Sequence, residues 1–133
     1  MLTYALCIIV SWIYVTVMHE VSHAFVAHKD GATKARIYPW PHMHEGWLYF
    51  ARYSYEGKTY TGSKNFIDKA PLVMDFVTMF LAVTISLFPG FIPFSNCLVV
   101  AAFIDQLVWY WGFFFGGPHT DGHKYRYGRG EKP

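Results

Sequence analysis

The sequence predicts a mainly α membrane fold: three transmembrane helices, with a small β-hairpin or sheet between the first and second, in one domain covering 1–133. Three observations predict it. The 133 residues are 53% hydrophobic and 20% aromatic but only 15% charged, a balance that suits a small chain facing lipid. The apolar residues fall into three runs, each close to the roughly 20 residues that an α-helix needs to cross a bilayer. Between the first and second runs the composition turns polar and aromatic.

The first helix is expected over about 2–28. Leu2 to Met18 contains no charged residue, and the run lacks the basic leader and small-residue cleavage site of a signal peptide, so it reads as a permanent span. The segment 29–69 holds Ala35 to Pro41 and Trp47 to Tyr60, both rich in Tyr, Trp, Phe and Ile. Partial alternation from Leu48 to Tyr55 predicts strand, and Glu56-Gly57-Lys58 predicts a turn. Its aromatics suit either a belt at the headgroups or a substrate surface. The second helix is expected over 70–88 and carries Asp75; the third, over 95–115, carries Asp105. Pro89, Gly90 and Pro93 leave room only for a tight return, so these two helices should be antiparallel neighbours. A basic tail, 122–133, closes the chain.

All 11 Lys and Arg residues lie in 29–69 or in the tail. By the positive-inside rule both segments are cytoplasmic in a multi-pass protein, with the N-terminus and the Pro89–Pro93 turn on the far side. A net charge of +2 is too small to imply nucleic-acid binding. Cys7 and Cys97 read as small packing residues of apolar helices.

At the end of the first run stand His19, Glu20 and His23, in the sequence His-Glu-Val-Ser-His. Residues four apart share a helix face, so both imidazoles can reach one zinc ion with Glu20 beside it to act on water. A glutamate between two histidines in so apolar a helix needs a cation or an internal cavity to compensate it. One zinc per chain is expected, with three protein ligands and an open position for water.

Depth along the helices selects the third ligand. At about 1.5 Å per residue, His19 and His23 lie roughly 25–33 Å from the far side, Asp105 about 15 Å, and Asp121 on the order of 38 Å if the third helix continued that far. Asp121 matches best, and Gly116-Gly117-Pro118 can turn it back toward the histidines. Asp75 is the reserve candidate, and His119 or His123, which flank Asp121, could supply an imidazole instead. Asp105 is expected to serve packing or a polar contact. His28, His42 and His44 read as surface residues, and Glu45 lies in a loop where a ligand glutamate normally needs a helix.

On His19-Glu20-Val21-Ser22-His23-Ala24 with Gly31 beyond, on the aromatic strand-like segment before the next span, and on Asp121-Gly122 after the third, the chain resembles the site-2 protease family of intramembrane zinc metalloproteases. The resemblance covers most of the chain. It implies that His19, His23 and Asp121 bind zinc and that Glu20 is the general base. The substrate it implies is a membrane protein or peptide. The chain departs from the family at two places. Asp121 follows the last apolar run instead of breaking a spanning helix, and Ala70-Pro71-Leu72 stands near the family's Gly-Pro-x-x-Asn with Met74 at the Asn position and Asp75 one later. The alternative reading is a non-catalytic membrane protein with a structural zinc or a partner-binding role; a third is a zinc hydrolase acting on a non-peptide bond.

Overall fold

Residues 2–44, 46–49, 51–56, 64–117 and 120–127 are described by a computed structural model. Leu2–Lys29 forms one helix, α1. It stops at a Schellman motif: Ala32 N–H donates to the Ala27 carbonyl at 2.9 Å and Gly31 N–H to that of His28 at 3.1 Å. Gly31 sits at φ 104°, which is why this stop requires glycine.

The polar segment is a nested pair of antiparallel ladders. β1 (Lys34–Tyr38) pairs with β4 (Arg52–Glu56), and β2 (His42–His44) pairs with β3 (Trp47–Tyr49) inside it. Pro39 and Pro41 lack N–H groups and interrupt the outer ladder. The turn joining β2 and β3 holds Gly46 at φ 82°, so the chain reverses there. The expected Glu56-Gly57-Lys58 turn lies largely outside the described residues, with β4 ending at Glu56. Alternation puts Tyr53 and Tyr55 on the inner face, where they pack with Val26 against buried Ala27, Ala32 and Ile67. The hairpin is thereby seated on the end of α1.

α2 (Lys64–Ile85) begins and ends earlier than the expected 70–88, and a 3-10 turn at Pro89–Phe91 leads into α3 (Ile92–Phe114). Val15 packs with Ala82 of α2 and with Leu98, Ala101 and Ala102 of α3. Near the other end of α1, His23 meets Ile67 and His19 meets Asp105. α2 therefore runs antiparallel to α1 and α3, which are parallel to each other. Alanines at the crossing let the backbones approach closely. The expected tail is helical in part: Asp121–Tyr127 forms a fourth helix, α4.

Among the described residues two helices, not the expected three, are long and apolar enough to cross a membrane, Thr3–Lys29 and Pro89–Phe114. α2 falls short because any 18-residue stretch of it includes Asp68, Lys69 and Asp75. Its outward residues are nevertheless apolar, as Phe76, Phe80 and Val83 show, while Asp68 and Asp75 are turned inward and buried.

Candidate metal centre

α1 supplies two imidazoles one helical turn apart, and α4 brings a carboxylate to meet them. His19 Nε2 lies 3.2 Å and His23 Nε2 3.1 Å from the same atom, Asp121 Oδ2. These three residues offer ligand atoms within 4.8 Å of one another and can hold a metal ion.

What places Asp121 there is its neighbour. A Cβ added to Gly122 would meet the Trp109 carbonyl oxygen at 2.2 Å and the Phe113 nitrogen at 2.3 Å. Only glycine permits that approach of α4 to the backbone of α3, and the preceding residue is thereby delivered over the histidines. The Asp-Gly pair thus has a packing reason in this chain.

The remaining ring nitrogens are committed. His23 Nδ1 donates to the Ile67 carbonyl at 2.7 Å, and His19 Nδ1 lies 2.6 Å from Asp105 Oδ2. A carbonyl only accepts, so the His23 proton belongs on Nδ1 and the lone pair of the neutral ring belongs on Nε2. The second contact favours the same tautomer for His19. Two imidazole lone pairs then converge on a carboxylate oxygen, an arrangement that a shared cation relieves. Hydrogen-bonded partners on the outer ring nitrogens are what orient metal-binding histidines.

Ile67 is available for that bond because of Pro71. In an α-helix the carbonyl of residue 67 accepts from the N–H of residue 71, and Pro71 has none. Pro71 lies inside α2 instead of at its expected start. Tyr53 of β4 stacks on His23, with ring centroids 4.2 Å apart and planes 16° from parallel.

Glu20 is buried, and its Oε2 has no hydrogen-bond partner among the described residues. It lines a cleft of about 260 Å³ together with His23, Tyr49, Tyr53, Asp121 and Lys124. Lys124 Nζ donates to Asp121 Oδ1 at 3.2 Å. Burial alone would raise the Asp121 pKa, but with no cation present, protons on the His23 and His19 rings beside it and the Lys124 ammonium outweigh it and hold it well below the usual range. Burial acts against Lys124 as well, yet Asp121, Asp68 and Tyr49 keep its pKa above the ordinary lysine value.

Every sequence-predicted member is thus in one place: His19, His23, Asp121 and Glu20. Asp75 is buried against Asp105 and stands outside the cluster, and His119 lies outside the described residues, as does Glu45. Asp105 makes a polar contact, as expected of it, but its partner is His19, deeper than the depth count of about 15 Å placed it. α3 starts at Ile92, three residues before the expected 95, which deepens Asp105 by about 4.5 Å. A lone aspartate in an apolar helix was the signal for such a role. Tyr53, Lys124 and the Ile67 carbonyl had no individual signal, since each depends on how separate elements meet. His28 and His42 bond nearby carbonyls, of Ala32 and Trp40. No protein-family model, curated protein or solved structure matches this chain.

Proposed function

We propose that the chain is a membrane-embedded zinc metalloprotease that hydrolyses peptide bonds of membrane-associated proteins or peptides. The observation that carries the reading is the convergence of His19, His23 and Asp121 beside a buried Glu20 whose Oε2 lacks a partner among the described residues, inside a bundle with an apolar exterior. The resemblance of His19-Glu20-Val21-Ser22-His23-Ala24 and Asp121-Gly122 to site-2 proteases supports the same reading. Two imidazoles and one carboxylate are the donor set of a catalytic zinc, which leaves a position for water.

A zinc ion held by His19, His23 and Asp121 would supply a lowered pKa for water and polarisation of the scissile carbonyl. Glu20, whose Oε2 has no partner among the described residues, would take the proton from water and pass it to the leaving amine. His23 is kept in register by Tyr53 and the Ile67 carbonyl, and His19 by Asp105. The hairpin walls the cleft with Tyr49 and Tyr53, so an extended substrate entering it passes between β3, β4 and α4.

Membrane placement is supported by the distribution of side chains. Ile8, Ile9, Phe76, Phe80 and Leu107 are exposed, whereas Ser11, Asp75, Thr78, Ser95 and Gln106 are buried. Water disfavours so broad an apolar exterior and lipid accepts it. In this reading α1, α2 and α3 all cross, with the hairpin and tail on the cytoplasmic side.

Glu20→Gln is the decisive experiment. The amide cannot serve as the base, so the variant should keep about one zinc per chain while peptide turnover falls by about 100-fold or more. Equal cleavage by both proteins, free of contaminating protease, would refute the mechanism. His19→Ala with His23→Ala should remove the zinc; full occupancy in that variant would sink the metal centre.

A further inference from the structure

A second cavity, larger than the cleft at Glu20, lies on another side of α1. A groove of about 700 Å³ runs between α1 and α2, lined by Val21, Phe25, Phe66, Val73 and Val77. Because successive residues of a helix step around its axis, α1 shows Glu20 and His23 to the cleft and Val21 and Phe25 to the groove. The groove is therefore separate from the chemistry.

Its floor asks for no polar ligand, since the Ser22 hydroxyl that reaches it already donates to the His19 carbonyl at 2.6 Å. One end is different. Lys29 and Lys69, from the ends of α1 and α2 nearest the hairpin, both line it. Lys29 Nζ stands 5.0 Å from the centroid of the Phe25 ring, so the cation is held over the apolar wall. Asp30, at the same end, leaves the trio with a net positive charge.

We propose that this groove binds an anionic phospholipid, with an acyl chain along Phe25, Val73 and Val77 and the phosphate between Lys29 and Lys69. The groove's volume lies within the range of about 300–1,000 Å³ typical of small-ligand sites. An apolar trough capped by two cations matches a lipid with one negative headgroup better than it matches a neutral one. A substrate helix laid in the groove would have α1 between it and Glu20. The inference rests on the membrane placement given above and not on zinc or proteolysis.

The test uses the full chain in nanodiscs of phosphatidylcholine with an equal amount of phosphatidylglycerol. Lipid retained on release is read by native mass spectrometry. Phosphatidylglycerol should be retained in preference to phosphatidylcholine. Lys29→Glu with Lys69→Glu should reduce that preference about 30-fold, at roughly fivefold or more for each lysine. Arg36→Glu, an exposed charge on β1, should leave it unchanged. Val73→Trp fills the groove at a half-exposed position and should expel the lipid while both lysines remain.

Equal retention of the two lipids, or retention unaffected by the double variant, would overturn the proposal. So would inorganic phosphate displacing the lipid, which would assign the site to the free anion. A photoreactive side chain at position 73 should give lipid adducts in cells, and adducts with a protein helix instead would assign the groove to a substrate or partner. Failure of the wild-type chain to enter nanodiscs at all would overturn the membrane placement and this inference together, whereas a chain that inserts but retains no lipid overturns this inference alone.

Discussion

At the scale of single residues, the two histidines are held differently although they sit one turn apart. His23 is fully enclosed, with Ile67, Tyr53 and Asp121 on three sides. His19 is more open, and a carboxylate, Asp105, bonds its outer nitrogen. A carboxylate partner raises imidazole basicity as well as fixing the ring, and losing such a partner typically weakens metal binding by about 10–100-fold. Asp105→Ala should therefore lower zinc affinity in that range, measured by competition with a chelator. Asp105→Asn should do less harm, because the amide oxygen still accepts from Nδ1. An alanine variant that binds zinc as tightly as wild type would show that Asp105 has no part in orienting His19. Lys124 acts at the opposite side of the cluster: Lys124→Met should weaken zinc binding less than Asp121→Ala does, since it removes a hydrogen bond to Asp121 and not a ligand.

At the scale of elements, α2 gives up one of its own hydrogen bonds to the site. Proline in a helix interior destabilises it by about 3 kcal/mol relative to alanine, and here the freed carbonyl of Ile67 accepts from His23. Pro71→Ala should then have two effects of opposite sign. The N–H gained at position 71 competes for the Ile67 carbonyl, so helix stability in detergent rises while zinc affinity falls. A purely structural proline predicts no loss of zinc, and circular-dichroism melts paired with metal titration tell the two apart. α4 depends on a similar fine fit. Gly122→Ala should displace it from α3 and release zinc, because the added carbon would lie 2.2 Å from the Trp109 oxygen. These elements also show what the sequence made legible. His19, Glu20 and His23 were readable because their spacing matches the helical turn, and the strands because Tyr53 and Tyr55 alternate with Ser54. Asp121 was legible as a return of the chain after Gly116-Gly117. The turn at Gly46 was missed because the expected one at Gly57 sits in an equally favourable sequence. The Ile67 carbonyl was illegible in principle, since any residue type would offer the same backbone atom.

At the scale of the whole molecule, the direction of the helices constrains the number of crossings more firmly than composition does. α1 and α3 are parallel, as the contacts Val15–Leu98 and His19–Asp105 require. If both span a bilayer, the chain must return across it between them. The 22 residues of α2 extend about 33 Å, enough for that return. The charges that keep α2 from qualifying by composition are placed to allow it: Asp68 and Asp75 face the bundle interior, and Lys69 lies near the helix end, where a long side chain can reach the interface. Cysteine labelling in intact cells or sealed vesicles decides the matter. In a background with Cys7 and Cys97 replaced by serine, Met43→Cys at the hairpin and Thr120→Cys before α4 should react with a membrane-impermeant reagent from one side. Gly90→Cys, in the turn between α2 and α3, should react only from the other. Both Met43 and Gly90 are exposed, so a lack of reaction from one side reflects the barrier and not burial. Reaction of Met43→Cys and Gly90→Cys from the same side would mean that α2 does not cross. It would also mean that α1 and α3 cannot both span while keeping their parallel packing. Reaction of Thr120→Cys from the side opposite Met43→Cys would separate Asp121 from His19 and His23 and dismantle the metal centre with it.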